Sequence, residues 1–72
     1  MAKKQRQLDD EPVSAEDVQL GWKVLVHGEW CLVRRISSDA GRIVLLVWHP
    51  GERRYLERTA QKGTNVRVKG WK

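Results

Sequence analysis

The chain has no phenylalanine, one cysteine, two prolines and two histidines in 72 residues. With Cys31 alone, no internal disulfide can form, and a lone thiol suits a reducing compartment better than a secreted one. The opening "MAKKQRQLDDEP" has no apolar h-region. No apolar run approaches the roughly 18 residues that a membrane-spanning helix requires. The expectation is a cytoplasmic protein with no membrane partner. Amphipathic helical spacing is missing after Leu20, which excludes a long helix.

Chemistry-bearing motifs are missing too. There is no nucleophile elbow, no phosphate-binding glycine loop and no pair of carboxylates in an apolar setting. His27, Cys31 and His49 are the only classical nucleophile or metal side chains besides carboxylates. A fourth ligand would have to be a residue such as Glu29, and that spacing matches no common zinc pattern. The sequence therefore predicts a non-enzyme with no cofactor and no metal.

What is present is positive charge, unevenly distributed. Residues 1–20 carry three Lys and Arg against five Asp and Glu, a net −2. Residues 21–72 carry eleven against four, a net +7. A basic body behind an acidic leading segment points to a polyanionic partner, most commonly nucleic acid.

Residues 1–13 are polar and aperiodic and read as a disordered arm. "SAED" resembles the N-cap of a single helical turn. Beyond it, β-branched residues and turn signals predict five short strands: 22–26, 30–36, 42–48, 53–58 and 65–69. The turns between them fall at "HGE", "SSDAG", "HPGE" and "TAQKGT". Domain 14–72 is then an all-β, five-stranded antiparallel barrel.

This layout, carried by "VQLGWKVLVHGEWCLVRRI", "GRIVLLVWHPGERRYL" and "TNVRVK", resembles small SH3-like barrels of the bacterial KOW and Tudor-like kind. The Gly-Asp pair that usually opens KOW modules is Gly21-Trp22 here. The resemblance implies the architecture and carries over no functional residue.

Strand 42–48 is apolar on both faces from Ile43 to Trp48. Closing its hairpin with 30–36 through a three- or five-residue loop gives the same two faces, because strand side chains alternate with period two. Cys31, Val33, Ile43, Leu45 and Val47 form an aliphatic face, with Arg35 near the turn, and join Val24, Val26, Leu56, Val66 and Val68 as the core. Trp30, Leu32, Arg34, Ile36, Val44, Leu46 and Trp48 form an outer face. A barrel this small has little to place on that face, so a partner, a second copy or the chain's own termini must cover it. Of the other tryptophans, Trp22 is expected to seal one end of the core and Trp71 to fray with the tail.

In a meander, Arg34, Arg35, Arg42, Arg53, Arg54 and Arg58 converge beside Trp30 and Trp48. Guanidinium groups next to indoles offer phosphate contact and base stacking together. The same arginines could instead serve only as solvated strand edges that block aggregation. The leading expectation is a nucleic-acid-binding module, DNA or RNA, using these eight residues. The alternative is a protein-interaction module, such as a regulatory or accessory protein of the phage or mobile-element type, with homodimerisation compatible with both.

Overall fold

A computed structural model describes residues 6–71. The described chain folds as β1 (Gln7–Ser14), a single 3₁₀ turn (Ala15–Asp17), β2 (Lys23–Val26), β3 (Glu29–Asp39), β4 (Arg42–His49), β5 (Arg54–Gln61) and β6 (Asn65–Trp71). All six strands join one antiparallel sheet in the order β1-β6-β2-β3-β4-β5. No helix among the described residues is long and apolar enough to cross a membrane. The all-β expectation holds, but there are six strands rather than five, and the sheet is not closed: β1 and β5 are its edges.

The sheet nevertheless curls. β5 and β6 lie four strand positions apart, about 19 Å in a flat sheet. The chain from Gln61 to Asn65 reaches at most about 14 Å, so the two strand ends must be brought together. The joining turn is held by the Lys62 amide donating to the Gly41 carbonyl (3.1 Å) and the Ala15 amide donating to the Thr64 carbonyl (2.9 Å). The Gly63 amide also donates to Glu16 Oε1 at 2.8 Å. That bond is the main cause of a Glu16 carboxyl pKa below its ordinary value.

Curling gathers one core from all six strands. Leu8, Val24, Val26, Cys31, Val33, Ile43, Leu45, Val47, Ala60, Val66 and Val68 are buried, with Leu56 packed at the margin. Every core residue expected from the strand pattern is in this cluster. Trp22 seals one end as expected, 5 % exposed, and lies against Gly70, where any side chain would collide with the indole. Its Nε1 donates to the Trp71 carbonyl at 2.9 Å, so Trp71 is a strand residue and not a frayed tail.

Residues 7–13, expected as part of a disordered arm, are strand instead; residues 1–5 lie outside the described residues. The alternation was hidden by a β-bulge. The register with β6 slips between Asp9 and Glu11, with Asp10 at φ 60°, so that both Leu8 and Val13 oppose the inward-facing positions Gly70 and Val66. Pro12 is tolerated because β1 is an edge.

A second bulge corrects the faces of β3. The loop to β4 has two residues, Ala40 and Gly41, at φ 50° and 78°, the signature of a type I′ turn. That register pairs Ile36 with Leu45. A slip between Val33 and Arg35, with Arg34 as the extra residue, then pairs Val33 with Val47, both on the expected core face, although the loop is shorter than the three or five residues expected. Ile36 therefore packs against the core, and Arg35, expected on the core side, opposes Leu46 on the outer face.

Candidate functional site

The outer surface of β3, β4 and β5 carries the residues singled out by sequence. Cross-strand pairing places Leu32, Trp48 and Tyr55 in one row, Arg35, Leu46 and Glu57 in the next, and Ser37, Val44 and Thr59 in a third. Trp48 and Tyr55 are 37 % and 51 % exposed, and their rings meet edge to face with centroids 4.9 Å apart. Leu32, Val44 and Leu46 are half-buried beside them. This aromatic and aliphatic band explains why strand 42–48 is apolar on both sides: one side is core, and the other is a surface.

Trp30 continues the band toward β2, where it pairs with Leu25. Lys69 Nζ lies 4.6 Å from the Trp30 ring centroid, a cation–π contact reaching across from β6. Beyond it, a shallow groove lined by Lys23, Lys69, Gly70 and Trp71 opens between the β1 edge and β2.

The six arginines do not converge as expected. Arg34, Arg35 and Arg42 are exposed on the outer face, the first two lifted by the bulge. Arg53 sits in the β4–β5 turn at φ 56°. Arg54 and Arg58 oppose His49 and Leu45, so they belong to the core side of the β5 edge. Strand alternation separates them from Trp48, and Arg54 is further engaged by Glu52, Nε to Oε1 at 2.9 Å. Trp30, Trp48, Arg34, Arg35 and Arg42 thus share one surface; Arg54 and Arg58 do not.

Tyr55, Lys23 and Lys69 were missed. Tyr55 was legible in principle, because Leu56 in the core requires its neighbour to point outward. The two lysines were not, since only the pairing of β6 with β2 brings Lys69 opposite Lys23.

The cations of this face are unpaired, although the carboxylates of Asp39 and Glu57 stand on it too. Among the described residues, no ion pair engages Arg34, Arg35, Arg42, Arg53, Arg58 or Lys23. The acidic residues of β1 are committed to other cations. Asp10 takes both prongs of the Arg67 guanidinium, Asp9 lies 3.6 Å from Lys69 Nζ, and Glu11 accepts from Arg6. The Arg67 hydrogen bond holds the Asp10 carboxyl below its ordinary pKa and raises that of the guanidinium in return.

His27, Cys31 and His49 lie at the opposite end of β3 from the Ala40-Gly41 turn. Cys31 is fully buried, its thiol donating weakly to the Glu29 carbonyl at 3.5 Å. Burial, reinforced by the Glu29 and Glu52 charges, raises its pKa, so the thiol stays protonated and unreactive. Comparison with known proteins found no matching family model, no matching curated protein and no matching solved structure.

Proposed function

We propose that the protein binds nucleic acid through the outer face of β3, β4 and β5. The observation that carries this reading is the exposed Trp48–Tyr55 pair near Arg34 and Arg35, which form no ion pair among the described residues. Bases stack on aromatic faces whatever their sequence, and guanidinium groups release counterions from phosphates. Trp30 and Arg42 extend the surface along the sheet, and Lys23 and Lys69 border it. No catalytic role is proposed.

The architecture supports the same reading. Strands β2 to β5 form a meander, and β6 returns beside β2. This path resembles that of the small SH3-like barrels, with β1 added on the far side of β6 and the sheet left open. The resemblance rests on that path alone.

A second reading, docking of a protein or a second copy, is favoured by one feature. Leu32, Val44 and Leu46 run unbroken beside Trp48, and a continuous apolar patch suits protein contact better than isolated stacking platforms do.

Fluorescence anisotropy with single- and double-stranded oligonucleotides at low and moderate salt tests the proposal. The expected result is binding with a log–log salt slope of several units, flattened by about one unit in Arg35→Ala. Absence of binding at moderate salt, together with a Trp48-dependent dimer in sedimentation, would transfer the surface to the second reading.

A further inference from the structure

The end of the sheet opposite the Ala40-Gly41 turn holds a cluster that the nucleic-acid reading does not use. His27 occupies the first position of the two-residue β2–β3 turn, at φ 50°, with Gly28 at φ 79° behind it. His49 is the last residue of β4, and Glu52 lies in the turn that follows. One donor atom from each of these three residues lies within 4.8 Å of the other two. His27 Nδ1 is 3.5 Å from Glu52 Oε2, and His49 Nε2 is 4.0 Å from the same oxygen. Tetrahedral zinc sites, with Zn–N near 2.0–2.1 Å, set their ligand atoms about 3.4 Å apart. The His27–Glu52 separation matches that spacing, the His49–Glu52 separation is longer, and all three atoms lie within 4.8 Å of one another, so closing on a metal needs a small shift of the exposed His27 side chain.

An independent observation points the same way. His49 is 3 % exposed, and its Nε2 has no hydrogen-bond partner among the described residues. Its Nδ1 accepts from the Glu52 amide at 3.0 Å. With Nδ1 accepting, Nε2 carries the ring proton, and this buried N–H without an acceptor costs free energy that exchange of the proton for a metal ion would remove. Glu52 is prepared for that ligand: Arg54 holds Oε1, which leaves Oε2 facing the two imidazoles. The Arg54 hydrogen bond, followed by His27, also keeps this carboxyl below its ordinary pKa.

We propose that His27, His49 and Glu52 bind a divalent transition-metal ion of the zinc type, through His27 Nδ1, His49 Nε2 and Glu52 Oε2. Glu29 is the positioning residue. Its Oε2 lies 3.3 Å from His49 Nδ1, so when the metal takes the Nε2 lone pair, the ring proton moves to Nδ1 and is donated to Glu29. The Glu52 amide, on its exposed turn, then bonds to water. A carboxylate behind a metal-bound imidazole is a common arrangement that fixes the tautomer. Two nitrogen donors select a zinc-like ion over magnesium or calcium. Cys31, fully buried in the core with its thiol on the Glu29 carbonyl, stays outside the donor set. The metal would tie the β2–β3 hairpin tip to the β4–β5 turn, a staple in a 72-residue chain that has no disulfide.

The test is calorimetric titration of the full chain with zinc chloride in a non-coordinating buffer, with thermal melts alongside. His27→Asn is the main variant, because Asn also tolerates a positive φ and His27 is exposed. The proposal expects one equivalent bound and a raised Tm in the wild type. It expects affinity lowered at least about tenfold in His27→Asn and about 10–100-fold in Glu29→Gln, both with unchanged metal-free Tm. Cobalt should give ligand-field bands without a thiolate charge-transfer band. No saturable zinc binding, undiminished binding by His27→Asn, or an equal rise in Tm with magnesium would each overturn the proposal.

Discussion

The two sides of this sheet treat the same cation differently. On the β1–β6 edge, Arg67 and Lys69 face Asp10 and Asp9, and the charges cancel across an antiparallel pair. On the β3–β4–β5 face, Arg34 and Arg35 stand near the exposed aromatic rings and Arg42 at the far end of β4, none with a carboxylate within ion-pairing distance among the described residues. The acidic leading segment is therefore more than a counterweight to a basic body. It pairs with β6, next to β2 in the sheet, and leaves the positive charge concentrated on the other side. Exposed pairs of this kind add little stability. Their consequence is where the unbalanced charge ends up.

The largest expected effect lies beneath the aromatic face. Leu45 is fully buried and Leu46, its neighbour in β4, is half-exposed on the outer side. Leu45→Ala should destabilise by about 2–5 kcal/mol, and Leu46→Ala by less than about 1 kcal/mol. Urea unfolding of both checks this, and equal losses would mean that the outer face is covered in solution. Leu8 is the corresponding anchor of the edge. Leu8→Ala should cost about 2–3 kcal/mol, because an edge strand can partly close the space left behind. A loss near zero would mean that β1 contributes charge but no packing.

Binding separates the two regions next. Trp48→Ala should weaken oligonucleotide affinity by about 1–3 kcal/mol with little change in salt slope. Arg67→Ala, on the neutralised edge, should leave affinity nearly unchanged. The comparison is sharpened by the double substitution Asp9→Asn with Asp10→Asn. Releasing Lys69 and Arg67 should tighten binding at low salt and steepen the slope by up to about two units. An unchanged slope would confine the contact to β3, β4 and β5.

The smallest effect is on pH dependence. Asp10 and Glu16 have carboxyl pKa values below ordinary, so their contributions are complete above the usual carboxylate range and are lost as pH falls through the lowered values. Acidification should therefore loosen β1 and the 3₁₀ turn before β3 and β4. Amide exchange measured stepwise below pH 4 should show β1 protection falling first. Simultaneous loss in β3 and β4 would contradict a separate role for the edge pairs.

Legibility in the sequence followed the regularity of the backbone. Val24, Val33, Leu45, Val47, Val66 and Val68 were recognised as core because the stretches that hold them keep a period of two on the inner side, Val33 with Cys31 ahead of the bulge at Arg34. Ile36 and Arg35 were assigned to the wrong faces because one extra residue at Arg34 reverses every position between it and the turn. The strand at 7–14 was missed for the same reason, a bulge at Asp10 in a segment whose polarity already suggested disorder. Of the proposed surface, Trp30, Trp48, Arg34 and Arg42 were legible from alternation. The departure of Arg54 and Arg58 was legible as well, since both share the face of Leu56 in β5, and the pairing with β4 places them there.

By itself, the sequence determined the local quantities: all-β character from β-branched strands between turn residues, the aliphatic core face, the excess of positive charge and the absence of a disulfide. These depend on neighbouring residues, and period-two geometry transmits them without reference to the rest of the chain. The tertiary structure alone decided which charges cancel and which histidines meet. Asp10 finds Arg67 across 57 residues only because β6 returns beside β2 and leaves an edge for β1 to pair with. His27 and His49, 22 positions apart, come to ring centroids 6.0 Å apart because a hairpin tip and a strand end reach the same end of a curled sheet. Contacts of that range depend on the curl and on two bulges, and a bulge is set by the balance of pairing and packing over whole strands, which no short stretch of residues records.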